Sequence, residues 1–181
     1  MVFIDETGFL LHPLVRRTWA PRGQTPVLRQ RTRHHRRVSA IGGLSLSPKR
    51  RRLGWYLQFH QDRSICQEQV IDFLRHLLRH LPGFVIVVWD RLGAHRSRAL
   101  RDWLRRCRRL RLESLPGYAP ELNPNEYGWA YLKHHRLANY CPADVERLHA
   151  QVLVESRDTA SHQALLRAFV HATGLPIRLR H

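Results

Sequence analysis

The six residues Phe84-Val85-Ile86-Val87-Val88-Trp89 are apolar without a break, and Asp90 follows them at once. A strand that is apolar at every position has to be covered on both faces. This run therefore demands a central strand in a sheet with a layer on each side. It is far too short to cross a membrane, and Pro82-Gly83 punctuates its start. The neighbouring periodicities supply the layers. Val70, Leu74, Leu77, Leu78 and Leu81 recur at helical spacing before the run, and Ala99, Leu100, Trp103, Leu104 and Cys107 after it. Arginines and histidines fall off both stripes, as expected of amphipathic helices.

The first half reads as strands. Val2-Phe3-Ile4 is a short apolar run leading into Asp5. Thr18-Trp19-Ala20, Pro21-Arg22-Gly23 and Pro26-Val27-Leu28 read as strand, turn and strand. The segments 38–46 and 53–60, joined by the basic turn Ser47 to Arg52, predict a hairpin. Beyond the central run, Leu110 to Leu115 is a further short strand, and Pro116 to Pro124 is a proline-rich loop. Helices are expected over 125–137, 142–154 and 161–173, the last stopped by Gly174 and Pro176. The order predicts an α/β fold, a mixed sheet with helices on both faces. Chemistry is expected at the rim where the buried strands end. A chain of 181 residues makes roughly one domain, read as a core over 1–140 with a C-terminal helical extension over 141–181.

Charge narrows the function. Lys and Arg together number 31 against 14 Asp and Glu, for a net charge of +17, and only Lys49 and Lys133 are lysines. A polyanionic partner is the default expectation. Met1 to Ile4 run straight into Asp5-Glu6 with neither a basic segment nor a long apolar stretch, so this stretch is not expected to be a signal peptide. Cys66, Cys107 and Cys141 form no CxxC pair, which argues against a disulfide framework or a zinc ribbon. The pairs His34-His35 and His134-His135 read as solvated surface.

Scarcity makes the acids informative. Asp5 follows the first apolar run, Asp90 closes the central one, and Glu126 opens a helix after the proline-rich loop. Each has an ordinary reading, as a helix cap, an arginine partner or a complement to the helix dipole. Together at one rim they would repel one another and need an arginine or a metal to neutralise them. Oxygen ligands suit Mg²⁺ or Mn²⁺ rather than zinc. Two such ions bridged by a shared Asp are what phosphodiester cleavage requires.

Three blocks carry a family resemblance: Phe3-Ile4-Asp5-Glu6-Thr7-Gly8-Phe9, the stretch Val87 to His95, and the stretch Leu115 to Trp129, which contains Pro120-Glu121-Leu122-Asn123-Pro124-Asn125-Glu126. In these the chain resembles the catalytic domain of DDE transposases of the mariner superfamily, in particular the bacterial insertion-sequence branch. The resemblance implies a ribonuclease H-like fold, a mixed five-stranded sheet flanked by helices. It puts Asp5 on the first strand, Asp90 at the end of the fourth and Glu126 on the helix after the fifth. It makes these three the catalytic, metal-holding acids for two Mg²⁺ or Mn²⁺ ions. His95 and Asn123 are auxiliary candidates. Arg91 stands where many relatives carry Asn, and Asp5 is favoured over its neighbour Glu6, which must face the other way.

The implied activity is metal-dependent DNA strand cleavage and strand transfer in cut-and-paste transposition, in the cytoplasm and associated with the bacterial nucleoid. A silent DNA-binding remnant and a structure-selective nuclease of the same fold are the alternatives. The implied partners are element ends and a TA-containing target, engaged by a homodimer. Expected DNA contacts are Arg33, Arg36 and Arg37, then Arg50, Arg51 and Arg52, then Arg96 and Arg98, all suited to backbone phosphates. A helix-turn-helix end-recognition module would precede Asp5 in such proteins, and this sequence has none there. The expectation is either a partner encoded in an upstream frame or a truncated fragment.

Overall fold

The computed structural model describes residues 1–28, 36–90 and 97–180. The strands are β1 (Val2–Leu10), β2 (Arg37–Leu46), β3 (Leu53–Gln61), β4 (Val85–Trp89) and β5 (Leu110–Ser114). They form one sheet in the order β3-β2-β1-β4-β5. β1, β2 and β3 are antiparallel neighbours, and β4 runs parallel to β1 and β5. The helices are α1 (Gln67–His80), α2 (Arg98–Arg106), α3 (Pro124–Tyr131), α4 (Val145–Ser161) and α5 (Gln163–Ala172). The mixed sheet expected from the central apolar run is present, and β4 occupies that run from Val85 onward; Phe84, just after the Pro82-Gly83 turn, lies outside the strand and is exposed.

The two faces carry separate cores. Val2 and Ile4 of β1, with Val85, Val87 and Trp89 of β4, pack against Val70, Phe73, Leu74 and Leu77 of α1 and Leu100 of α2. Phe3 and Phe9 of β1 and Trp55 of β3 pack on the other face against Trp129, Leu148, Val152, Leu166 and Phe169 of α3, α4 and α5. The alternation along β1 thus sends odd-numbered side chains to α3 and even-numbered ones to α1. Asp5 follows Phe3 to the α3 face, and Glu6 follows Ile4 to the other.

Helix boundaries follow local chemistry. Ser97 accepts from Leu100 N at 3.2 Å and Asp144 from Arg147 N at 2.7 Å, each filling an otherwise unmet helix-start donor. At α1 the Gln69 side chain reaches back to Cys66 N at 3.0 Å. The helix expected over 125–137 is instead α3 followed by a π-helical turn over Leu132–Arg136. The helix expected to end at 154 continues to Ser161.

The strand pair expected over 18–28 is not formed. Only its turn is seen, with Gln24 N bonded to Pro21 O at 3.0 Å. Trp19 is fully exposed and Val27 largely so. Strand-like composition without a ladder partner does not make a strand. Cys66, Cys107 and Cys141 are free thiols. Among the described residues no helix is long and apolar enough to cross a membrane.

Candidate active site

Asp5, Asp90 and Glu126 line one cleft of about 550 Å³, with Asn123 and the loop 115–120 completing its wall. Parallel pairing places Val2 opposite Val87 and Phe3 opposite Val88. Asp90, just past the end of β4, therefore comes level with Asp5. Glu126 enters from above, in the first turn of α3.

Two asparagines fix that entry. The Asn125 amide donates to Phe3 O at 2.8 Å and the Asn123 amide to Ile4 O at 3.0 Å. The Asn125 amide also donates to Asn123 Oδ1 at 3.0 Å, and its own Oδ1 accepts from Trp55 Nε1 at 2.9 Å. Both side chains are buried. The start of α3 is thereby tied directly to the β1 residues that precede Asp5. Asn123, an auxiliary candidate from the sequence, borders the cleft while its amide is spent on this tie.

Trp129, one turn further along α3, donates from Nε1 to Asp5 Oδ2 at 3.0 Å. Its ring lies on Gly42, the register partner of Asp5 on β2. A β-carbon at position 42 would stand 2.6 Å from that ring, so only glycine lets the indole reach the carboxylate. Gly128 gives the same clearance to Trp55, whose ring would meet a β-carbon there at 2.7 Å.

Burial, then the charges of Glu126 and Asp90, push the Asp5 carboxyl up to about 7, against the opposing bonds from Glu6 N–H and the Trp129 indole. Glu126 is also raised, by burial first; Lys133 opposes this and Asp90 adds to it. Lys133 sits in the π-helical turn two helical turns beyond Glu126 and donates from Nζ to Thr7 Oγ1 at 2.6 Å. Its Nζ lies 5.6 Å from the centre of the Phe9 ring. Burial lowers its pKa while Glu126 and Asp5 raise it. Sequence reasoning missed Lys133, Asn125 and Gly42. A signal existed for the first: a lysine in an arginine-dominated chain, seven residues after Glu126 on one helical face.

Among the described residues no three His, Cys, Asp or Glu side chains stand close enough together to enclose a metal ion by themselves. His134 and His135 are exposed, as expected.

The arginines disperse. Arg36 is bonded to Asp62 at 2.8 Å and to Glu146 at 3.3 Å, and Arg37 donates to Ser64 Oγ. Arg98 is 90% exposed at the start of α2, with Asp102 at 3.8 Å. Arg50, Arg51 and Arg52 occupy the β2–β3 turn, at the end of the sheet away from the cleft. Arg33, Arg91, His95 and Arg96 lie outside the described residues.

Comparison with known proteins comes to the same fold. The Mos1 transposase paired-end complex with left transposon end superposes with a TM-score of 0.67 at 21% identity, over 95% of this chain and 51% of that one. The Mos1 mariner paired end complex with Mn gives 0.66 at 21% identity, over 95% and 52%. The catalytic domain of Mos1 mariner transposase gives 0.53 at 17% identity, over 98% and 83%. The chain spans about half the length of the first of these. At such identity the likeness establishes the ribonuclease H-like fold. A search of curated proteins returned no match. Residues 1–149 match the family model described as DDE superfamily endonuclease, and this chain belongs to that family.

Proposed function

We propose that the chain is the catalytic domain of a transposase, cleaving DNA strands and joining them to a target with two Mg²⁺ or Mn²⁺ ions held by Asp5, Asp90 and Glu126. The observation that carries this reading is the convergence of three carboxylates on one cleft in a chain of net charge +17. Membership of an endonuclease family supports it, as does the Mos1 fold, whose structures include complexes with a transposon end and with Mn or Mg.

The donor set fits hard cations. It is all oxygen, and burial, with the charges of Glu126 and Asp90 added to it, holds the Asp5 proton to about pH 7. Mg²⁺ uses only one or two carboxylates and fills its shell with water and substrate phosphate oxygens. An open triad lining a cleft accords with that habit better than a closed cage would. When bound, such ions polarise the scissile phosphate and stabilise the leaving oxygen.

The chain's own residues set the geometry. Trp129 orients Asp5, and Asn123 and Asn125 hold Glu126 opposite it. Lys133 supplies a nearby positive charge that favours the ionised form of Glu126. The substrates in this reading are element ends and a TA-containing target, engaged by a homodimer, with end recognition supplied by a helix-turn-helix module. The test is strand nicking and joining of a pre-cut element-end duplex. Mg²⁺-dependent products from the wild type, lost in folded Asp90→Ala, are expected. Equal activity of the two proteins would overturn the assignment.

A further inference from the structure

The far end of the sheet carries a cationic feature. Asp5 pairs with Gly42, and β2 continues for four more residues to Leu46 before the turn begins. At about 3.3 Å per residue the turn starts roughly 13 Å along the sheet from Asp5. Lys49, Arg50, Arg51 and Arg52 are all exposed on it.

The C-terminal tail is fastened to this turn. Arg180 N donates to Arg50 O at 2.9 Å. The Arg167 guanidinium, from α5, donates to Arg51 O at 2.5 Å and to Arg180 O at 3.0 Å. The Gln163 side chain holds Leu53 through both its N–H, at 3.0 Å, and its carbonyl, at 2.8 Å. The tail alternates: Leu175, Ile177 and Leu179 pack against the core, while Arg178 and Arg180 face outward. Seven cationic side chains are thus gathered on one end of the molecule. Among the described residues none of them forms an ion pair, whereas Arg36, Arg75 and Arg136 each do.

Backbone atoms alone tie the turn to the tail, apart from the Arg167 clasp, so the remaining cationic side chains are left for a ligand. The geometry points to a second contact for the phosphate backbone of duplex DNA, formed by Lys49 to Arg52 with Arg178 and Arg180, separate from the cleft that holds the acids. The apolar tail residues are turned inward, so the surface offers nothing to insert into a bilayer. Segments 47–52 and 175–180 contain no aromatic residue on which unpaired bases could stack. Unpaired guanidinium groups without base-reading partners suit a sequence-independent backbone contact. The contact does not rest on the proposed catalysis, because it needs neither the acids nor a metal.

The test is metal-free binding of a random-sequence duplex by the full chain, followed by fluorescence anisotropy across a salt series. Two charge-matched triple variants are compared, Arg50→Ala/Arg51→Ala/Arg52→Ala and Arg63→Ala/Arg75→Ala/Arg79→Ala. Each phosphate contact contributes about 0.9 to the slope of log K against log salt. The turn variant should lower that slope by about 2 to 3 and weaken binding at least tenfold, with an unchanged thermal midpoint. The control should lower the slope by less than about 1. Adding Arg178→Ala/Arg180→Ala to the turn variant should deepen the loss. Equal losses in the two triple variants would overturn the contact, as would no loss in the turn variant. A loss seen on phosphatidylserine vesicles but not on DNA would also overturn it. Repeating the comparison in an Asp90→Ala background separates this result from the fate of the catalytic reading.

Discussion

The Trp129 indole donates to the Asp5 carboxylate at 3.0 Å across the patch of sheet that Gly42 leaves bare. One hydrogen bond thereby links the helix that carries Glu126 to the strand that carries Asp5. It also opposes the rise of the Asp5 pKa. Trp129→Phe keeps most of the ring packing and removes the donor. The Asp5 carboxyl should then titrate above about 7, and the pH profile of Mg²⁺-dependent cleavage should move to higher pH. Cleavage rates measured across pH in both proteins check this.

Gly42→Ala should act on the same bond from the other side. Its β-carbon would stand 2.6 Å from the Trp129 ring, and overpacking of that kind costs about 1–3 kcal/mol. Gly8→Ala on β1 meets nothing within 4 Å and should be close to neutral. Urea unfolding of the two variants provides the comparison.

Asn125→Ala should destabilise the fold by about 1–3 kcal/mol, because it leaves the buried Trp55 indole N–H without its acceptor and removes the amide bond to Phe3 O. Cleavage should fall further than stability alone explains, since α3 loses one of its ties to β1. Chemical unfolding beside single-turnover rates separates the two effects.

Stability should depend on pH and divalent metal together. The Asp5 carboxyl holds its proton to about 7 in the folded protein, against a reference of 3.8. Folding therefore favours the protonated form. The benefit is full below about pH 4 and is lost as pH rises toward 7. Three pH units correspond to at most about 4 kcal/mol. Asp5→Asn should accordingly raise the thermal midpoint at about pH 8 and change it little at about pH 4. Mg²⁺ should stabilise the wild type at about pH 8 much more than at about pH 5, and should do little for Asp5→Asn.

The central strand, the hairpin and α1 were legible because each rests on a local pattern: an unbroken apolar run, alternation around a basic turn, and helical spacing. The three acids stood out through their scarcity and their places at element ends. β1 was read short because Asp5 and Glu6 interrupt its apolar pattern. Antiparallel pairing with β2 nevertheless carries it from Val2 to Leu10. Residues 18–28 misled in the opposite direction, having strand composition but no neighbour to pair with. The roles of Gly42 and Asn125 depend on strand register and on how α3 docks, which no single segment encodes. The seven-residue spacing of Glu126 and Lys133 was visible, but its meaning required the packing against Thr7 and Phe9.

The most direct measurement is Mn²⁺ binding to the full chain near pH 8, followed by electron paramagnetic resonance, with four isosteric variants. Asp5, Asp90 and Glu126 line one cleft, whereas Glu6 faces the other side of the sheet. Asp5→Asn, Asp90→Asn and Glu126→Gln should each weaken Mn²⁺ binding at least tenfold, and Glu6→Gln should leave it unchanged. Binding that is insensitive to the three, or as sensitive to Glu6→Gln as to them, would contradict a metal centre built from these carboxylates.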